Sequence, residues 1–167
     1  EYTQVGADGA SYGIASRETP LNDHVGGTGS TPAYTWGGAN WYQNGSGTGT
    51  SLSAMVDGDV IGVAYDRTNG KLHLRRNGQW YGASWATKTT SQVAAGTDPV
   101  TSSVSTSVQF FPTHSNNSSG RGCSVNFGQK PLIFAVPTGF KILCAANLSD
   151  TSGENDDTND PNKYFVT

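Results

Sequence analysis

The chain has 167 residues, 22 of them Gly, with 34% apolar residues, only 14% charged residues and a formal net charge of −3. That length suits one domain with a full hydrophobic core. A composition weighted toward Gly, Ser, Thr and Asn argues against helices, because these residues weaken or compete with helical backbone bonding; there is no basic stripe for nucleic acid, and no apolar run reaches the ~18 residues of a membrane-crossing helix.

The chain opens on Glu1 without Met, so a processed product or a piece of a longer chain is expected. "EYTQVG" (1–6) and "SYGIAS" (11–16) are strand-like and flank the turn residues Asp8 and Gly9. Residues 17–33 are rich in Gly, Thr and Asn and are expected to form a loop. "PAYTWGG" (32–38) and "NWYQNG" (40–45) are shorter, aromatic strands.

"GDVIGVAYD" (58–66) is apolar on both faces, with Ile61, Val63 and Tyr65 on one and Val60 and Ala64 on the other. Such a strand is central and covered twice. Gly62 implies a close neighbour or a bulge. "RTNG" turns the chain into "KLHLRR" (71–76), which alternates. Leu72 and Leu74 are expected inward; Lys71, His73 and Arg75 are expected outward. Asn77-Gly78 is a type I′ hairpin signal, because both residues tolerate positive φ. "QWYG" (79–82) returns, so 58–82 is a three-stranded meander.

Residues 83–106 are mostly Ser, Thr, Ala and Gly and are expected to be a loop, with weak strands left open. Strands are expected at "SVQFFP" (107–112), "CSVNFG" (123–128), "LIFAV" (132–136) and "FKILCAA" (140–146), with a polar loop "THSNNSSGR" at 113–121. In "CSVNFG" the alternation points Cys123, Val125 and Phe127 to the core and Ser124 and Asn126 away. Cys123 and Cys144 are expected as buried free thiols, with a disulfide open if their strands are neighbours. "SDTSGENDDTNDPN" (149–162) is an acidic, polar linker. "KYFVT" (163–167) starts a further strand, expected to lead into another module. Many short strands with turns between them predict an all-β, two-sheet antiparallel sandwich.

Catalysis finds little support in these residues. A glycosidase needs two carboxylates about 5–9.5 Å apart across a cleft. Glu1, Glu18 and Glu154 sit at a terminus, in a loop and in the linker, while Asp57, Asp59 and Asp66 stand at strand ends, where Asp serves turns. His24, His73 and His114 lack metal-ligand spacing. The acidic tail lacks the calcium loop pattern, and "GGTGST" lacks the Lys and helix of a phosphate loop. No Gly-x-Ser-x-Gly elbow occurs. No cofactor and no metal are expected. Four glycosylation sequons begin at Asn44, Asn116, Asn117 and Asn147 and matter only in a secreted eukaryotic protein.

Aromatics are the better lead. Trp36 and Trp80 are expected in the core. Trp41, Tyr42 and Trp85 border loops and either pack on the sheet or face solvent. Exposed aromatics among Asn, Ser and Gly make adaptable contact surfaces and also stack on sugars.

"DGDVIGVAYDRTNGKLHLRRNGQWYG", "VQFFPTHS", "CSVNFGQKP" and "PTGFKIL", in that order, resemble the SPRY domain. "YGIAS" (12–16) and Trp36-Gly37 resemble its earlier motifs. The likeness covers residues 12–144, closely over 57–82 and 108–144. An opening "Y-W-E-V" strand is not evident, and Leu132 stands where the family often has Phe. The resemblance implies a concanavalin-like jelly-roll sandwich over 1–148 and a recognition role without catalysis. "GFKILCAANLSDTSGENDDTNDPNKYF" is similar to the exit from SPRY-like modules of large bacteriophage structural proteins, with Ser149 where Pro is usual.

That likeness implies a virion or tail-fibre location. The implied partner is a neighbouring virion protein, a host receptor or a surface glycan, with no nucleic acid and no membrane insertion. A homo-oligomer would form through the parent chain. Candidate binding residues in the loops are Tyr34, Trp41, Tyr42, Asn44, Trp85, His114, Asn116 and Arg121. The alternatives are a bracing domain of a virion, a cytoplasmic SPRY interaction adaptor and, least supported, a glycan-acting hydrolase.

Overall fold

A computed structural model describes residues 1–6, 10–20, 25, 32–37, 40–116, 119–143 and 163–166. The strands are β1 (Tyr2–Val5), β2 (Ala10–Ser16), β3 (Ala33–Gly37), β4 (Asn40–Gln43), β5 (Ser46–Ser51), β6 (Val60–Asp66), β7 (Lys71–Arg76), β8 (Gln79–Tyr81), β9 (Thr87–Lys88), β10 (Phe110–Asn116), β11 (Gly122–Val125), β12 (Lys141–Ile142) and β13 (Lys163–Val166). Among the described residues, helix is confined to a 3₁₀ turn at Ala83–Trp85 and one short helix, α1 (Thr90–Ala94). Two antiparallel sheets run in the orders β11-β1-β6-β7-β8-β9 and β10-β2-β3-β4-β5. This is consistent with the expected all-β sandwich. The chain divides into two compact units, one of Glu1, Gly62–Thr106 and Val125–Thr167, the other of Tyr2–Ile61 and Ser107–Ser124.

In the second of these units the five-stranded sheet is built on β2, which is buried along its whole length. Its register sets Tyr12 opposite Trp36 and His114, and Ile14 opposite Tyr34 and Pro112. Trp36 in turn faces Trp41. These residues share one face, because strand side chains alternate. Tyr34 lies 6.5 Å from Trp41 and meets Phe110 edge-on at 5.6 Å. The opposite face carries small residues together with Tyr42 and Phe111. Val25 packs there on Ala15 and Ala33. Thr35 Oγ1 donates to the Val25 carbonyl at 3.1 Å. At Gly13 any Cβ would strike the Tyr34 carbonyl, so only Gly lets β2 and β3 approach there.

In the first unit the expected meander is present as the ends of β6, β7 and β8. Gly78 has φ +85°, as the Asn77-Gly78 turn requires. Ala64, Trp80, Val93 and Phe140 form its apolar cluster, with Leu132 and Val136 packed on it.

Several expectations change. His73 and Arg75 do not face solvent; they are 0% and 1% exposed. The chain that covers Arg75 includes the run 132–136, which is not a strand. Its backbone bonds go to side chains instead: Ile133 and Phe134 donate N–H to the Glu1 carboxylate at 2.8 and 3.0 Å, and Ala135 O accepts from Arg75 at 2.8 Å.

Strand β10 starts at Phe110 and runs to Asn116, so 113–116 is strand rather than loop. Strand β11 stops at Val125, which is exposed. Asn126 ends it: its Oδ1 accepts from Gly128 N at 3.0 Å and Lys130 N at 3.2 Å, bending the chain into a turn. Residues 83–106 carry β9 and α1, and β5 was not foreseen. Strand β13, foreseen as a strand, pairs with β6 and β12. The turn at Asp8-Gly9, most of the loop at 17–33, Cys144 and the linker at 149–162 lie outside the described residues.

Candidate functional site

An unexplained buried ion is a common sign of a functional site. In the first unit Glu1 is 2% exposed and Arg75 1%. Arg75 Nη2 donates to Glu1 Oε1 at 2.8 Å. Glu1 and Asn126 exchange backbone hydrogen bonds, N to O at 3.0 Å and O from N at 2.8 Å. The guanidinium lies 4.9 Å from the Trp80 ring and 5.1 Å from that of Phe134, within cation–π range. Burial draws the Arg75 pKa down to about 10, against the opposing pull of Glu1. This pair is a structural clamp: its ions and backbone partners answer one another.

The other buried carboxylates also serve turns. Asp59 Oδ2 accepts from Val56 N at 2.7 Å. Asp66 accepts from the backbone and side-chain nitrogens of Asn69 at 3.1 and 2.8 Å. The described residues hold no group of three or more His, Cys, Asp and Glu that could seat a metal. Cys123 is a free thiol, half-buried, and burial pushes its pKa up to about 11, which favours the protonated form.

The eight candidate contact residues separate. Tyr34 and Trp41 are buried, in the aromatic face described above, and are therefore packing residues. Tyr42, next along β4, points to the opposite face and is half-buried. Asn44 is exposed in a left-handed conformation at φ 49°. Its Oδ1 accepts from Ala33 N at 3.3 Å and its Nδ2 donates to the Tyr34 hydroxyl at 3.4 Å.

His114 is half-buried against Tyr12, with ring centroids 5.1 Å apart, and burial lowers its pKa. Asn116 is exposed, Arg121 half-buried, and Asn116 Nδ2 donates to the Arg121 carbonyl at 2.6 Å. Trp85 belongs to the other unit, half-buried and edge-on to Tyr81 at 6.2 Å.

The fold thus brings Tyr42 and Asn44 together at one margin of the five-stranded sheet, and His114, Asn116 and Arg121 along β10 and the turn after it. Sequence reasoning missed Gly37 and Gly47, which flank Tyr42. A Cβ at Gly47 would touch an edge of its ring at 3.4 Å, while one at Gly37 would strike Ser11 Oγ at 2.3 Å before reaching the ring. The alternating Gly of "SGTGTS" was the available signal. No family model, no curated protein and no solved structure matches this chain.

Proposed function

We propose that the chain is a noncatalytic recognition module of a larger virion or tail-fibre protein, binding a protein or a surface glycan through exposed residues of its second unit. The observation that carries this reading is how polar chemistry is divided. The buried carboxylates Glu1, Asp59 and Asp66 are engaged by neighbouring donors. Among the described residues, the exposed polar side chains at 40–47 and 113–121 are Asn44, Ser46, Asn116 and Ser119, all amides and hydroxyls. Such surfaces bind by adaptable hydrogen bonding, and loops on a rigid frame are where binding concentrates. The virion context rests on the likeness of the tail.

Binding of the labelled chain to bacterial surfaces tests the reading. Tyr42→Ala and the pair Asn116→Ala with Arg121→Ala are expected to weaken binding, and Lys88→Ala to leave it unchanged. Equal binding by all of these folded variants would move the site elsewhere. A bracing role is the second reading, favoured by the edge strand β5, whose sequence "SGTGTS" has no charge and no Pro.

A further inference from the structure

His73 is fully buried on β7 of the first unit, and neither ring nitrogen has a hydrogen-bond partner among the described residues. Such a group has lost its water without replacement, which costs stability. The register that sets Leu74 opposite Tyr81 sets His73 beside Gly82. A Cβ at Gly82 would strike the Asp98 carbonyl at 2.0 Å and Lys88 Cε at 2.6 Å, and one at Gly96 would come 3.0 Å from Lys71 Nζ. Val93 of α1 shares an apolar cluster with Ala64 and Trp80. The segment 89–98 therefore lies over the face of β7 that carries Lys71 and His73.

This cover is lightly held. Within 89–98 only Val93 is buried. Lys71 Nζ donates to the Gly96 carbonyl at 2.9 Å, Ala83 N donates to that of Asp98 at 3.4 Å, and Asp98 pairs with Lys88 at 2.7 Å. A segment with few buried apolar contacts opens at small cost. Gly96 and Asp98 take left-handed backbone at φ 65° and 46°, where the chain turns back toward the sheet. The charges around His73 are Asp66 on β6, Lys71 and Arg75 on β7, Lys88 on β9 and Asp98 on the segment itself. Lys163 of β13 stands opposite Asp66, and α1 and β8 carry no charge. Asp98 is already paired with Lys88, Asp66 with Asn69 and Arg75 with Glu1. A proton on His73 would thus be a buried cation beside Lys71 and Lys88, with no carboxylate left unengaged to receive it.

We propose that the segment 89–98 is an acid-released cover: a proton on His73 drives it off the sheet and opens that face of β7 to solvent while the strands stay paired. The device is independent of what the second unit binds. Its sign follows from burial, which lowers the closed-state pKa of His73 to about 4; Lys71 and Lys88 add to this, and Asp98 and Asp66 oppose it. Opened to water, the imidazole regains its ordinary value of about 6.5. The open state binds the proton first, so the closed cover is fully favoured above about pH 6.5 and loses ground as pH falls toward 4. Between about pH 7.5 and about pH 5 the ratio of open to closed should rise about 20–30-fold.

Hydrogen exchange of the intact chain, followed by mass spectrometry at those two pH values and corrected with an unstructured peptide, tests this. The amides of Val93, Ala95, Gly96 and Thr97 bond to carbonyls within the segment, and so short a helix does not persist off the sheet. They are expected to lose protection about 20–30-fold at the lower pH, while the amides of β6 keep theirs. His73→Leu should abolish the difference. Val93→Ala, which loosens the cover without touching the titrating group, should raise exchange of the segment at both pH values. By linkage it should also move the NMR titration of His73 up toward its ordinary value. Equal protection at the two pH values, equal losses in the segment and in β6, a difference that persists in a folded His73→Leu chain, or a His73 titration unmoved by Val93→Ala overturns the proposal.

Discussion

His73 and Arg75 sit two residues apart on β7, and each tests how burial treats charge. Neither ring nitrogen of His73 has a hydrogen-bond partner among the described residues. Burial lowers its pKa to about 4; Lys71 and Lys88 add to this, and Asp98 and Asp66 oppose it. The folded pKa lies below the unfolded value, so the unfolded chain binds the extra proton first. Stability is therefore full above about pH 6.5 and declines as pH falls toward 4, by up to about 3 kcal/mol. Urea denaturation across that range should show the decline, and His73→Leu should flatten it; an equal slope in both would refute the assignment.

Arg75→Met leaves the Glu1 carboxylate buried without its cation and is expected to cost about 3–5 kcal/mol. The double change Arg75→Met with Glu1→Gln should recover part of that loss in the same assay. The alternation in "KLHLRR" does put Lys71, His73 and Arg75 on one face. That Arg75 is covered was not legible, because its cover comes from Glu1 and from 133–135, about 60 or more residues away in sequence; Lys71, on the same face, reaches instead to the Gly96 carbonyl.

Elements defined by local turn chemistry were readable, and those defined by distant partners were not. The meander at 58–82 followed from period-2 runs around Asn77-Gly78. "LIFAV" is also apolar and β-branched, yet its N–H groups bond a carboxylate and no ladder forms. Gly78 carries this segment's weight too: a Cβ there would come 2.8 Å from Phe134 Cε1 at φ +85°. Gly78→Ala should therefore destabilise by more than about 1 kcal/mol, combining backbone strain with displacement of the Phe134 ring. A melting temperature equal to that of the unaltered chain would show the ring yields freely.

Helix α1 had a legible start. Thr89 and Gln92 form a reciprocal capping box, with bonds of 3.2 and 2.8 Å. Five residues are too few to show a helical period, so the signal went unread in the Ser- and Thr-rich background. Strand β10 was read short because its second half is polar. Thr113 and Ser115 alternate there with His114, which is the pattern of a half-buried edge strand.

At the scale of the molecule, the two sheets differ in charge. Strands β6, β7, β9, β12 and β13 carry Asp66, Lys71, Arg75, Arg76, Lys88, Lys141 and Lys163, whereas the five-stranded sheet carries no Asp, Glu, Lys or Arg. Composition made the fold class legible; the partition of charge needed the strand order. It matters most at the edges, where unpaired N–H and C=O groups invite another strand. Among the described residues three edges carry a safeguard. Strand β9 has two residues and ends on Lys88, which pairs with Asp98 at 2.7 Å. Strand β10 holds Pro112, and β11 has four residues.

Strand β5 ends its sheet with six residues and none of these devices. An antiparallel pairing of two copies about Thr48 would set Ser46 against Thr50 and Gly47 against Gly49, with no like charges opposed. If the domain braces a particle, this is the edge it would use. Sedimentation velocity of the intact chain should show concentration-dependent dimers. Thr48→Lys should suppress them by setting two cations face to face, and Gly49→Pro by removing a donor. A chain that stays monomeric at all concentrations, or dimers indifferent to both changes, would leave β5 a solvated margin and favour recognition over bracing.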